Sequence, residues 1–131
     1  MDTNIVLDLF VFGDAATEPL REALGAQELQ WIATAAMREE LARVLAYPQI
    51  IKSLQHHQRS ATDVLAKFDA QAQCVDAAAK ASVTCKDADD QKFIDLAVAH
   101  AAQLLSKDHA VLCMAKRLSA LGVRAGVALV T

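Results

Sequence analysis

The apolar positions of this chain fall into short continuous runs separated by stretches with a helical period. The first run, Ile5-Val6-Leu7-Asp8-Leu9-Phe10-Val11-Phe12, is closed by Gly13-Asp14. Its pattern fits a buried strand and a buried helix equally well. Residues 18–24 have amphipathic helical spacing, with Pro19 in the first turn, where its missing N–H costs nothing. Residues 29–33 predict a short strand. Thr34 then offers an N-cap hydroxyl to a helix over 35–46, whose Met37, Leu41, Val44 and Leu45 share one face. Pro48 breaks that pattern. Residues 49–59 and 60–74 predict two further helical pieces, the second with Val64, Leu65 and Phe68 inward, and residues 76–81 are alanine-rich with no clear period.

The second half repeats the alternation. Residues 82–85 predict a strand that leads into three aspartates within four positions, Asp87, Asp89 and Asp90. Phe93, Leu96, Ala97, His100 and Ala101 then follow helical spacing. Gln103-Leu104-Leu105 reads as a short buried strand ending at Ser106-Lys107-Asp108. Residues 109–121 predict a helix stopped by Gly122, and residues 123–130 a last strand. Such alternation of β and α predicts a single domain over 1–131, of three-layer α/β/α architecture around a mainly parallel sheet. Ligands in such sheets collect outside the carboxyl ends of the strands. Carboxylates gathered there favour a divalent cation between them, because like charges at close range otherwise repel.

Composition narrows the function classes. The chain is 54% hydrophobic and 22% charged, which fits a folded core, and its net charge of -3 excludes a generally basic nucleic-acid coat. Sign is unevenly spread, however. Residues 87–95 carry four acids against Lys92, whereas residues 104–131 carry four basic residues against Asp108 alone. No apolar run reaches the roughly 18 residues of a membrane span, and the acidic start is unlike a signal peptide. Cys74, Cys85 and Cys113 have no paired metal-ligand spacing. They are expected as small buried hydrophobes in a reducing cytoplasm.

Four acids stand out by position: Asp2 in DTN, Glu40 in MREELARVL, Asp90 in DADDQKF and Asp108 in SKD, with successive separations of 38, 50 and 18 residues. At about 100° per residue, Glu40 falls roughly 85° from the centre of its helix's apolar face and Glu39 roughly 175°. Glu40 is thus expected at the edge of the core and Glu39 in solvent. Taken in order, the four motifs resemble those of the PIN-domain family, in particular its VapC-like toxins from bacterial toxin–antitoxin systems, and the resemblance runs over nearly the whole chain. It implies a compact α/β/α sandwich and endonucleolytic cleavage of RNA dependent on Mg²⁺ or Mn²⁺. It implies a metal site of Asp2, Glu40, Asp90 and Asp108, with Asn4 and Ser106 as hydrogen-bonding neighbours and Lys92 and Lys107 meeting the RNA backbone. A cognate antitoxin is the implied partner, and a homodimer is compatible with it. Two departures accompany the likeness. Only Met1 precedes Asp2, where the family ordinarily carries apolar residues of the central strand, so a truncated strand or an upstream start is expected. Ser106 replaces the commoner threonine.

Other readings of the same residues remain open at this level. The aspartates at 87, 89 and 90 also suit a helix N-terminus electrostatically. Asp89 competes with Asp90, and Asp8 with Asp2, for a place in the site. Asp95, opposite Phe93, is expected at the surface, His100 packed on an apolar face, His109 at a solvated helix start, and Trp31 and Phe93 in the core. The basic stretch Lys52, His56, His57 and Arg59 is read either as a solvated face or as a local nucleic-acid contact. Beside the nuclease stand two alternatives: a catalytically inactive PIN-like scaffold that binds RNA or protein, and a receiver-like domain whose acids bind Mg²⁺ for phosphorylation. The latter lacks an identifiable threonine and lysine on successive strands.

Overall fold

The structure is a computed structural model that describes residues 1–129. Two compact units divide the chain, one continuous (Val6–Asp76) and one assembled from Met1–Ile5 together with the stretch that starts at Ala77.

The first apolar run is helical. α1 (Thr3–Leu7) passes directly into a π-helical turn over Asp8–Phe12. Ile5 to Val11 are all buried, so the alternation of a half-exposed strand is missing, and a helix satisfies its own backbone without a neighbouring strand. Its last carbonyls have no partner within the helix, and arginines of the continuous unit supply donors. Arg21 Nη2 donates to Leu9 O at 3.0 Å and Arg59 Nη1 to Phe10 O at 2.8 Å. Gly13, at φ +58°, closes the turn in the left-handed conformation that glycine adopts freely.

In the rest of that unit α2 (Glu18–Gly25) precedes β1 (Trp31–Ala33), and then come α3 (Ala35–Leu45), α4 (Pro48–His56), α5 (Ala61–Gln71) and β2 (Ala72–Cys74). Thr34 caps α3 through the Met37 N–H and Ser60 caps α5 through the Asp63 N–H. Pro48 separates α3 from α4 by occupying the first turn of the latter. Residues 72–74 leave the expected helix and become extended, pairing in parallel with β1 in the register Trp31 to Ala72 and Ala33 to Cys74. Ladder bonds to a strand whose Trp31 is buried outweigh the local helical period there. Trp31 centres the core, its ring 6.0 Å from that of Phe10 and 5.0 Å, edge-on, from that of Phe68.

The assembled unit contains α6 (Gln91–His100), β3 (Leu104–Leu105), α7 (His109–Leu112), α8 (Ala115–Ala120) and β4 (Ala125–Gly126). β3 and β4 pair in parallel, and the Asp2 N–H donates to Leu105 O at 2.9 Å, which ties the start of α1 to the end of β3. The helix expected over 109–121 is in two pieces with Val111, Met114 and Leu118 inward. The last strand is shorter than its apolar run, and Val130 of that expectation lies outside the described residues. Residues 82–85, expected as a strand, form none. The chain is therefore α/β and helix-rich, with short strands paired in parallel among the described residues. Among those residues no helix is long and apolar enough to cross a membrane.

Removing the central ring should be costly. Trp31→Ala is expected to lower unfolding free energy in urea by roughly 3–5 kcal/mol, the usual cost of deleting a large buried aromatic. A loss below about 1 kcal/mol would show that the Phe10–Trp31–Phe68 cluster is not a core.

Candidate metal centre

Three carboxylates of the assembled unit converge. One oxygen from each of Asp2, Asp90 and Asp108 lies within 4.8 Å of the others. Each arrives from a different local device. Asp2 sits between the β3 edge and the first turn of α1, where its Oδ1 accepts the Asn4 N–H at 2.9 Å. Asp108 follows β3 and caps α7, its Oδ1 accepting the Ala110 N–H at 2.9 Å. Asp90 ends a 3₁₀ turn over Ala88–Asp90 that is itself capped by Asp87, whose Oδ1 accepts the Asp89 N–H at 3.0 Å.

Ser106 joins two of these devices. It is fully buried, its hydroxyl donates to Asp2 Oδ2 at 2.5 Å, and the same oxygen accepts the Asp108 N–H at 3.0 Å. Asp2 thereby has hydrogen bonds on both oxygens. Asp90 has no such support: it is 8% exposed, and its Oδ2 is buried with no hydrogen-bond donor. Its close neighbour is the Asp108 carboxyl group, and two carboxylates bond each other only if one is protonated.

The electrostatics follow from this crowding. Asp90 is pushed up from 3.8 to about 7, first by burial and then by Asp108, Asp2 and Asp87. The buried Cys85 thiol is also raised, by burial first, with Asp90, Asp87 and Asp108 adding to the effect and the Asp87 backbone N–H opposing it. A buried carboxylate oxygen without a donor, surrounded by other carboxylates, is a fit for a hard divalent cation, which takes oxygen ligands and cancels their repulsion. The donor set has no competing soft ligand among the three, which suits Mg²⁺ or Mn²⁺.

Glu40 is half-buried on α3 of the continuous unit and is not one of the three convergent acids. Asp8, the rival of Asp2, is buried in the π-helical turn of that same unit, and Asp89, the rival of Asp90, is exposed. Asn4 reaches Asp2 through its backbone, its side chain being exposed. Lys107 is exposed, and the Lys92 ammonium donates to Asp89 O at 2.5 Å and lies 5.0 Å from the Phe93 ring centre. His109 and His100 are exposed, so His100 is not packed as expected: it is the last residue of α6, where the apolar face runs out. Cys85 is buried, but Cys74 and Cys113 are exposed, against expectation. Asp95 is the main correction. It is buried, accepting the Ala81 N–H and the Gln91 amide at 2.8 Å each. Helical phase put it opposite Phe93, but residues 81–85 cover that side of α6. A charge flanked by Ile94 and Leu96, with a glutamine four residues earlier, was the available signal.

Comparison with known proteins gives one finding. A family model described as a PIN domain matches residues 1–110. No curated protein and no solved structure matches the chain.

The raised Asp90 predicts a pH dependence. Folded protein holds the Asp90 proton up to about pH 7, whereas the unfolded chain releases it near 3.8, so the folded state carries the extra proton between those values. Stability of the metal-free protein should therefore fall as pH rises from about 4 to about 7, with the penalty complete above it. In EDTA, Asp90→Asn should flatten this slope and raise the melting temperature at pH 8, by an amount equivalent to roughly 1–2 kcal/mol. Identical pH profiles for the two proteins would contradict the crowding argument.

Proposed function

The chain belongs to the PIN-domain family, and on that premise we propose that it is an endoribonuclease dependent on Mg²⁺ or Mn²⁺, acting as the toxin of a type II toxin–antitoxin pair. PIN domains are generally nucleases that use divalent metals. The observation that carries the reading in this chain is the convergence of Asp2, Asp90 and Asp108, with an Asp90 oxygen that is buried and has no donor. Asp2, Asp90 and Asp108 would hold the cation, and the family pattern adds Glu40 as a fourth carboxylate. The PIN-like three-layer sandwich belongs to the same reading.

When bound, the cation supplies the positive charge that lets a phosphodiester approach, and it activates a water for attack on phosphorus. The protein's own groups prepare for that. Ser106 and the Asn4 N–H fix the two Asp2 oxygens, and the Ala110 N–H fixes Asp108, so the donors are aimed before a ligand arrives. Lys92 and Lys107, close to the acids in sequence, would meet the RNA backbone. A cognate antitoxin and a homodimer are further parts of the proposal, and so is a cytoplasmic location. The antitoxin and the homodimer rest on family likeness, and the location on cysteines without paired spacing.

Purified protein with Mg²⁺ or Mn²⁺ is expected to cleave single-stranded RNA, and EDTA to stop it. Asp90→Asn should lower the rate by at least about a hundredfold through weakened metal binding, while the protein stays folded. Glu40→Gln should lower it as well if Glu40 serves as the fourth carboxylate, and an unchanged rate would restrict the site to the three aspartates. Absence of cleavage across both metals and several RNAs, with RNA binding retained, would replace the nuclease by a non-cutting PIN-like scaffold.

A further inference from the structure

Asp90 is the carboxylate whose own hydrogen bonds do least to hold it, yet its placement decides whether the three acids share one site. Its position must come from the backbone that carries it. That backbone is the junction of the Ala88–Asp90 turn with α6, and the next residue, Gln91, anchors the junction to the preceding loop. Gln91 Oε1 accepts the Cys85 N–H at 2.6 Å, and its amide nitrogen donates to Val83 O at 3.0 Å and to Asp95 Oδ1 at 2.8 Å. Asp95 Oδ1 also accepts the Ala81 N–H at 2.8 Å. Alternate residues of the loop, 81, 83 and 85, are thus held by two side chains one helical turn apart. These two side chains take the part that a neighbouring strand would play, giving the Ala81 and Cys85 N–H groups and the Val83 carbonyl their partners without a ladder. The loop then runs through Asp87 into the turn that ends at Asp90.

We propose that Gln91 and Asp95 are positioning residues of the metal centre, setting the Asp90 carboxylate by clamping residues 81–85 onto the first turn of α6. The inference rests on the metal-dependent reading above. Asp95 acts here as an acceptor of two hydrogen bonds, not as a charge. Asparagine at that position keeps an oxygen for both bonds, whereas alanine keeps neither. Gln91 needs both an acceptor and a donor, so Gln91→Glu loses the donor and sets a second carboxylate against Asp95.

Mn²⁺ affinity of the full chain by calorimetry, and the RNA cleavage rate at saturating Mn²⁺, test the clamp. Asp95→Ala and Gln91→Ala should weaken Mn²⁺ binding about tenfold, the lower end for groups that orient metal ligands, and slow cleavage even at saturation. Asp95→Asn should restore both to near the wild-type level, which a role through charge would not allow. Wild-type affinity and rate in both alanine variants would overturn the proposal, and so would an Asp95→Asn variant as impaired as Asp95→Ala. A variant-free measurement covers the case in which the alanine variants do not fold. Binding at the site must tighten the clamp if the clamp favours binding, so saturating Mg²⁺ should slow amide hydrogen exchange at Ala81 and Cys85. Unchanged exchange there, with Mg²⁺ bound, would also overturn it. The two readings fail differently: Mn²⁺ binding that is absent in the wild type or unaffected by Asp90→Asn removes the metal site itself, whereas a metal site sensitive to Asp90→Asn but not to the clamp variants removes only the positioning role.

Discussion

Much of the assembled unit depends on one buried hydroxyl. Ser106 Oγ gives its hydrogen to Asp2 Oδ2 and accepts the Asp108 N–H, linking residues 104 positions apart in sequence. A buried carboxylate without a donor costs far more than one that is hydrogen-bonded. Ser106 is what makes Asp2 tolerable where it sits, so that crowding strain is concentrated on Asp90. The replacement of the family's commoner threonine changes only a methyl group, and the hydroxyl geometry that matters is retained.

Asp90 and its surroundings show how a fold can hold strain at one atom without losing shape. Around it, the Ala81, Cys85 and Asp89 N–H groups and the Val83 carbonyl are each held by a side chain. The unsatisfied Asp90 oxygen stands beside that hydrogen-bonded frame. Charge on it is disfavoured by burial and by its neighbours, and a divalent cation would reverse both effects at once. Polar bonds around the site therefore serve geometry, and the unfavourable electrostatics serve affinity.

What the sequence made legible followed the strength of local signals. Thr34 and Ser60 cap the helices that begin after them, and Asp108 caps α7. The order of acidic motifs pointed to Asp2, Asp90 and Asp108, together with Glu40, while phase left Asp89 level with Asp90 and Asp8 on its apolar run stood second to Asp2. Burial separates Asp90 from Asp89, and the bond from Asp2 to β3 gives Asp2 a role that a place on an apolar run cannot. Where reading failed, a tertiary contact had overridden a local rule. Ala72–Cys74 answers to β1, not to the period of α5. Residues 82–85 have strand-like composition but find side chains instead of a strand. Asp95 has a surface residue's chemistry and helical phase, and it is buried because a loop of no regular structure lies over it. Periodicity carries no information about such a loop.

The order of residues in the assembled unit also bears on synthesis. The continuous unit, Val6–Asp76, is uninterrupted in sequence, whereas its companion is split by it. Chains are made from the N-terminus at a few to about 20 residues per second, and units generally fold as wholes. Asp2 therefore leaves the ribosome before Ser106 and Asp108, with the whole of Val6–Asp76 made in between. Until they emerge, no nascent chain contains the three acids together. A protein organised this way does not acquire its complete carboxylate site gradually during translation: the site can form only once the continuous unit is made and Asp108 has emerged.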